Sequence, residues 1–334
     1  MNTTPFAEMT IYIRSFQLTQ MLHAAADISL ADRIASGPRP INELAVETGT
    51  NPDMLLRLCR ALAGFGIFSL DAGDRLGHTP KSEYLRSDSI PTLHYAARYW
   101  GGPISWTTWG EFEHTLKTGE PAFEKIFGMP NFDYFKTVPE QAAIFDAFMQ
   151  HSPDDRHRAV ANAYVFAGKV VDVGGGNGGL LQAVLGKYPD TRGVLFDHPD
   201  VVAGAPAVLG PLAERCEMVG GSFFEFVPAG GDIYTMSQIM HDWSDARCRD
   251  ILGHCRRAMA PDARLLIIER LIEDEPGTTP PAILLGDLHM AVLFPGARER
   301  TVAEFGRLFA DTGFGPPQVT RTASPFAIIE TRPA

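Results

Sequence analysis

Residues 170–179 read Val-Val-Asp-Val-Gly-Gly-Gly-Asn-Gly-Gly, an apolar run that enters a cluster of glycines. The run is short and apolar throughout, as a strand buried on both faces must be. Glycine is required where the backbone turns tightly or where a ligand has to approach main-chain atoms closely. A strand, a glycine turn and a helix in that order constrain the chain to a mostly parallel sheet, with ligands at the carboxyl ends of its strands.

Two templates fit the loop. Gly174, Gly176 and Gly179 match G-x-G-x-x-G, the dinucleotide fingerprint. Gly174, Gly176 and Gly178 match G-x-G-x-G with an acid, Asp172, two residues ahead, which is the methyltransferase form. A second acid, Asp197, ends the next apolar run at the distance where a ribose diol is gripped. Both cofactor classes carry a ribose there, so on this loop alone nucleotide and methyl donor stay open.

The pattern around the loop predicts strands at 169–173, 193–196, 217–219, 232–236 and 264–269, with helices at 179–187, 201–214, 245–260 and 302–312. Segments 318–322 and 326–331 close the chain as a hairpin. The expected fold is α/β, a doubly wound Rossmann-like sheet with a C-terminal antiparallel hairpin. Ahead of it the sequence is mainly helical. Apolar residues at helical spacing span 15–35 and stop at Gly37-Pro38; a short helix follows at 41–46; Asn51 or Asp53 caps another through Ala63, which Gly64 ends. Residues 67–70 and 75–78 form a small hairpin, and the set resembles a winged-helix module. Its basic and acidic residues nearly balance through Arg86, so it offers no electrostatic footprint for nucleic acid. Residues 99–150 read as helical and rich in aromatics, which suits core packing and also the wall of a ligand cavity.

A formal net charge of -11 opposes polyanion binding. No window approaches 18 uninterrupted apolar residues and no basic stretch precedes an apolar run at the start, so neither a membrane span nor a signal peptide is expected, and a cytoplasmic protein fits. Cys248, His254 and Cys255 lie close together, but a second ligand pair for zinc is missing and ordinary helical cysteines are the reading adopted.

Downstream, Met240-His241-Asp242-Trp243-Ser244-Asp245 follows the fourth strand, where a histidine points into the cleft. Asp242 and Asp245 are candidates to cap the next helix, Asp245 above all. Glu269 ends an apolar strand and Glu299 sits in Pro295-Gly296-Ala297-Arg298-Glu299-Arg300-Thr301. An acid at the end of an apolar strand is costly without a partner. A carboxylate bonded to one imidazole nitrogen fixes the tautomer and makes the other a better base. With a phenol pKa near 10, removing the proton at neutral pH costs roughly 4 kcal/mol, which a positioned histidine offsets. The sequence shows no carboxylate cluster that clearly assembles a metal.

These residues together resemble the plant caffeate-type O-methyltransferases and their bacterial relatives that make antibiotics, phenazines and other small aromatics. The resemblance rests on the winged-helix region, Asp172 to Gly178, His241 to Asp245, and Pro295 to Thr301, and covers most of the chain. It implies S-adenosylmethionine as methyl donor, S-adenosylhomocysteine as product, no metal, and a small aromatic hydroxylated acceptor. It implies His241 as general base bracketed by Glu269 and Glu299. Asp172, Gly174, Gly176, Gly178, Asp197, Ser222, Phe223 and Ser237 would hold the donor; Trp109, Phe145, Met149, Gln238, Asp242, Met290 and Phe294 would fall on the acceptor. The implied division is a winged-helix-like dimerisation domain at 1–100, a helical connector lining the acceptor pocket at 101–150, and a donor-binding methyltransferase domain at 151–334, working as a homodimer.

Three positions depart from the plant pattern. Ser222 replaces the acid that binds the adenine amino group, Ser237 replaces a lysine, and Gln238 replaces a tryptophan that stacks on acceptors. The competing readings are nitrogen methylation or non-canonical use of the sulfonium on the same fold, a nicotinamide-dependent oxidoreductase, and a ligand-sensing winged-helix regulator.

Overall fold

The computed structural model describes residues 4–151 and 156–334. It divides into two units, Met1–Glu111 with Ile126–Pro153, and Phe112–Lys125 with Asp154–Ala334.

In the first unit, helices Ser15–Asp27, Ile41–Thr48 and Pro52–Gly64 pack around Leu30, Ile34, Leu44, Leu55, Cys59 and Leu62. Asn51 caps the third of them, its side chain accepting from Met54 N at 3.1 Å, and Asp53 lies in the first turn. Strands β1 (Arg39–Pro40), β2 (Phe68–Leu70) and β3 (Arg75–His78) form a small antiparallel sheet in the order β1-β3-β2. The pairing of β1 has no sequence signal, since two residues carry no periodicity. The helix expected over 15–35 breaks at Ser29, whose φ of 50° is left-handed, before a last turn at Leu30–Arg33. The aromatic stretch is helical, as expected, and is divided into six pieces. It forms His94–Gly101, Pro103–Gly110, Phe112–Thr118, Ala122–Phe127, Asn131–Thr137 and Pro139–Gln150, with Pro103 and Pro139 each at a helix start, where the missing N–H costs nothing. Residues 112–125 within it group with the second unit.

The second unit carries β4 (Lys169–Val173), β5 (Arg192–Asp197), β6 (Cys216–Gly220), β7 (Ile233–Ser237), β8 (Arg264–Glu269), β9 (Gln318–Arg321) and β10 (Ala327–Thr331). They form one sheet in the order β6-β5-β4-β7-β8-β10-β9. The first five are parallel; β10 runs antiparallel to β8 and pairs with β9 as the closing hairpin. Side chains alternate strictly between two cores. Val171, Val173, Leu265, Ile267, Ala327 and Ile329 point into one, while Val170, Leu266, Ile268 and Ile328 point into the other. Burial on both faces explains why these strands read as continuous apolar runs. The connections leave β4 in one direction and β7 in the other, so the carboxyl ends of these neighbours form the switch point where doubly wound folds bind ligands.

The helix expected over 201–214 is broken into Pro199–Val202, Ala205–Leu209 and a 3-10 turn at Gly210–Arg215. Pro206 and Pro211 sit at the starts of the last two, where each removes a backbone donor that a continuous helix needs. Helices Pro5–Ile13, Arg156–Ala163 and Pro281–Leu293 were not among the sequence expectations. Among the described residues no helix is long and apolar enough to cross a membrane.

Candidate active site

β4 delivers the glycine loop. Gly174, Gly176 and Gly178 have φ of 68°, 59° and 89°, backbone that only glycine adopts without strain. A Cβ at Gly174 would also lie 2.5 Å from Ile239 Cδ1, so this position is closed by contact as well as by torsion. The loop is fastened to the end of β5: Gly174 N donates to Phe196 O at 2.8 Å, and Gly176 N donates to Asp197 Oδ2 at 2.8 Å. Asp172 is buried in β4 and accepts from Thr235 Oγ1 of β7 at 2.6 Å. Burial pushes its pKa up to about 7, against the opposing effect of the Thr235 bond. Ser222 caps a turn, its Oγ accepting from Phe224 N at 3.2 Å, and Phe223 packs edge-on against Trp243. Of the three left-handed glycines only Gly176 has open space where a Cβ would stand, beside the partly exposed Asp197, so a ligand can approach the main chain there.

At the end of β7, Gln238 is the third non-glycine residue with positive φ, at 55°, and its Oε1 is buried without a hydrogen bond. The chain then makes a 3-10 turn, Met240–Asp242, that presents His241. Four separate contacts hold this turn. Glu269 Oε1 accepts from Met240 N at 2.9 Å, and Arg298 N donates to His241 O at 2.9 Å. Arg300 donates to Met240 O at 2.6 Å and to Trp243 O at 2.8 Å. His241 Nδ1 lies 3.3 Å from Glu299 Oε1 and 3.7 Å from Glu269 Oε2, while Nε2 lies 3.3 Å from Asp242 Oδ1. Both glutamates are 1% exposed, and the Oε2 atom of each has no hydrogen-bond partner.

The electrostatics follow from that crowding. Burial opposes charging of His241, but attraction to Glu269, Asp242 and Glu299 outweighs it and raises its pKa to about 10. Burial raises Glu269 to about 7, with His241 pulling it down and Glu299 and Asp242 pushing it up. Asp242 rises to about 6, chiefly by burial. His241, Glu269 and Glu299 also offer one donor atom each within 4.8 Å of one another, compact enough to surround a cation. The two glutamates expected to bracket the histidine lie 28 and 58 residues from it, and the fold brings them to it.

The expected site residues are thus placed as follows. The second unit sets Asp172 in β4 directly ahead of the three glycines, whose loop is fastened to Asp197, and sets His241 beside Glu269, Glu299 and Asp242. Ser237 ends β7 and Gln238 follows it, and Met290 and Phe294 are half-buried in and just after helix Pro281–Leu293. Trp109, Phe145 and Met149 belong to the first unit, where Phe145 stacks on Phe135 at 4.9 Å. The capping assignment is corrected. Neither Asp242 nor Asp245 caps helix Asp245–Ala258; Ser244 does, while Asp242 faces His241 and the Asp245 carboxylate pairs with Arg300, at 2.8 Å. Cys248 and Cys255 are buried core thiols of that helix. Thr235 and Arg300 escaped the sequence reading. An arginine directly after a buried glutamate was the available hint for the second; a threonine within an apolar strand gave none for the first.

A doubly wound sheet with a terminal antiparallel hairpin, a glycine loop at the switch point and a histidine behind it define a methyltransferase domain. Residues 109–315 match the model of an O-methyltransferase domain, and residues 11–88 match an O-methyltransferase dimerisation domain. The chain is 40% identical over 325 residues to a phenazine O-methyltransferase of Lysobacter antibioticus, covering 96% of this chain and 94% of that one. It is 38% identical over 324 residues to an O-demethylpuromycin O-methyltransferase of Streptomyces alboniger, covering 94% and 86%. An O-methyltransferase from neocarzinostatin biosynthesis, solved with S-adenosylmethionine and 2-hydroxy-5-methyl naphthoic acid, superposes with a TM-score of 0.82 at 31% identity, covering 95% and 96%. The chain belongs to the O-methyltransferase family, and is an S-adenosylmethionine-dependent O-methyltransferase.

Proposed function

We propose that this enzyme methylates a hydroxyl of a small aromatic secondary metabolite, with His241 as general base. The observation that carries the reading is His241 Nδ1 held between Glu299 at 3.3 Å and Glu269 at 3.7 Å at the carboxyl end of the sheet. With Nδ1 facing the glutamates, Nε2, 3.3 Å from Asp242 Oδ1, is the nitrogen we assign to take the acceptor's proton once the imidazole is neutral. The donor supplies a methyl group on a sulfonium, already activated for displacement. Asp172, Gly174, Gly176, Gly178, Asp197, Ser222, Phe223 and Ser237 are the residues we assign to holding it. Gln238, Asp242, Met290 and Phe294 are assigned to orienting the acceptor oxygen for in-line attack, where positioning is most of the catalysis. For Trp109, Phe145 and Met149 an acceptor role rests on the resemblance alone. The dimerisation-domain match supports a homodimer, and four buried free cysteines suit the reducing cytoplasm.

The test is mass spectrometry of the protein mixed with S-adenosylmethionine and a panel of hydroxylated aromatics, run beside His241→Ala. A product one methyl heavier with the native chain, reduced 100-fold or more in the variant, is expected. Undiminished turnover by His241→Ala would remove the base from the mechanism, and methylation on nitrogen alone would remove the hydroxyl acceptor.

A further inference from the structure

Arg300 is the largest fully buried side chain of the described residues, 1% exposed. A guanidinium carries five N–H donors in a rigid fork, and burying it is costly unless they are satisfied. Here the fork meets five acceptor contacts. Nε donates to Asp245 Oδ1 at 3.0 Å, and Nη2 to Asp245 Oδ1 at 2.8 Å and to Trp243 O at 2.8 Å. Nη1 donates to Met240 O at 2.6 Å and to Arg298 O at 3.4 Å. The two carbonyls of Met240 and Trp243 bracket His241. The main chain of Arg300 faces the other way, its carbonyl accepting from Ile272 N at 3.1 Å just beyond Glu269, with Leu271 bridged to it. One residue therefore ties together the three segments that carry His241, Glu269 and Glu299.

We propose that Arg300 and Asp245 are a positioning pair that sets the distance of the catalytic imidazole from its two glutamates. The pair touches neither His241 nor the glycine loop through any side-chain hydrogen bond, so it acts through the backbone of the 240–243 turn. This inference rests on the reading of His241 as the base and adds the device that aims it. Asp245 is the solvent-side end, its side chain 49% exposed, and its carboxylate fixes the roll of the guanidinium plane so that the remaining N–H groups reach both carbonyls. Lysine keeps the charge but has a single compact head, so it cannot serve two carbonyls and a carboxylate together. Besides the two glutamates, Asp242 faces the imidazole, and Asp287 of helix Pro281–Leu293 steadies Glu299 by accepting from its N–H at 2.8 Å.

The experiment measures hydrogen–deuterium exchange at Cε1 of each histidine by mass spectrometry across pH, which reads the pKa of His241 without an acceptor. It compares the native full chain, Arg300→Lys and Asp245→Asn, with S-adenosylhomocysteine affinity by calorimetry and melting temperature alongside. Loosening the turn lengthens the glutamate contacts, so the His241 pKa falls by about one unit or more in Arg300→Lys, in the same direction but less in Asp245→Asn. S-adenosylhomocysteine affinity stays within about threefold, because the glycine loop hangs on β4 and β5. The limiting turnover on an acceptor from the panel, taken from the alkaline plateau of the pH profile where the imidazole is neutral in both proteins, falls about 10- to 100-fold, the cost of misplacing a reacting group by a fraction of an ångström to an ångström. If Arg300→Lys does not fold, Asp245→Asn, altered only at a half-exposed carboxylate, carries the test. An unchanged His241 pKa and turnover in a folded variant overturns the positioning role. A shifted pKa in a background where His241→Ala remains fully active overturns the base instead, and the two failures are distinguishable.

Discussion

Replacing Glu269 with glutamine keeps the shape of the side chain and the acceptor that holds Met240 N, and removes one negative charge 3.7 Å from His241 Nδ1. Coulomb's law at an effective dielectric of about 20 makes that charge worth roughly 4–5 kcal/mol at this distance, or about three pKa units. Burial holds the Glu269 pKa up and His241 pulls it back down, leaving it below that of His241, so Glu269 carries its charge where the imidazole loses its proton and the interaction applies. The His241 pKa therefore drops from about 10 toward roughly 7 in Glu269→Gln. The sign in catalysis follows directly. Only neutral imidazole can accept a proton, so activity climbs with pH through the His241 pKa. The profile of kcat/KM against pH, which reports the free enzyme, should keep its rising acid limb but carry it to lower pH by two to three units. The plateau should fall as well, since a less basic imidazole drives proton transfer less strongly. A limb that stays within half a unit of the native one refutes the assignment of Glu269 as the charge that sets the base.

Two further perturbations follow from the same coordinates. Asp172 has a folded pKa near 7 against 3.8 in the unfolded chain, so folding takes up a proton between those values. Its contribution is fully present below about pH 4 and is lost as pH rises through 7, a swing on the order of 4 kcal/mol. Thermal melts of Asp172→Asn should vary less between pH 4 and 8 than the native chain's, with the variant at least as stable at pH 8; parallel curves would refute the buried-charge cost. Gly174→Ala forces a Cβ to within 2.5 Å of Ile239 Cδ1 at a φ of 68°, a strain of about 1–3 kcal/mol. Calorimetry should show S-adenosylmethionine affinity reduced at least tenfold, and unchanged affinity would mean that the loop does not hold the donor.

Much of the second unit was legible in the sequence because its signals are local. A strand buried on both faces is a short apolar run wherever it lies, and β4, β7 and β8 read that way. The left-handed turns at Gly174, Gly176 and Gly178 announce themselves because almost no other residue tolerates them. The closing hairpin was visible as two spaced strands. The pieces read wrongly were the helix over 201–214, where Pro206 and Pro211 outweigh a favourable periodicity, and Ser29, whose left-handed backbone no residue type foretells.

Tertiary structure decided what the chemistry depends on. The sequence by itself determined the presence of a glycine loop, a following acid and a histidine with two later glutamates. It could not determine that Thr235 serves Asp172, that Arg300 rather than a helix end claims Asp245, or that Asp242 joins the two glutamates around the imidazole. Those facts arise from contacts between residues as far as 63 positions apart, and the energies involved come from burial and charge separation. The same Glu269 in water would titrate as an ordinary carboxylate. Enclosed at the end of β8 beside Glu299 and Asp242 it does not, because a low-dielectric interior strengthens every charge that it fails to hydrate.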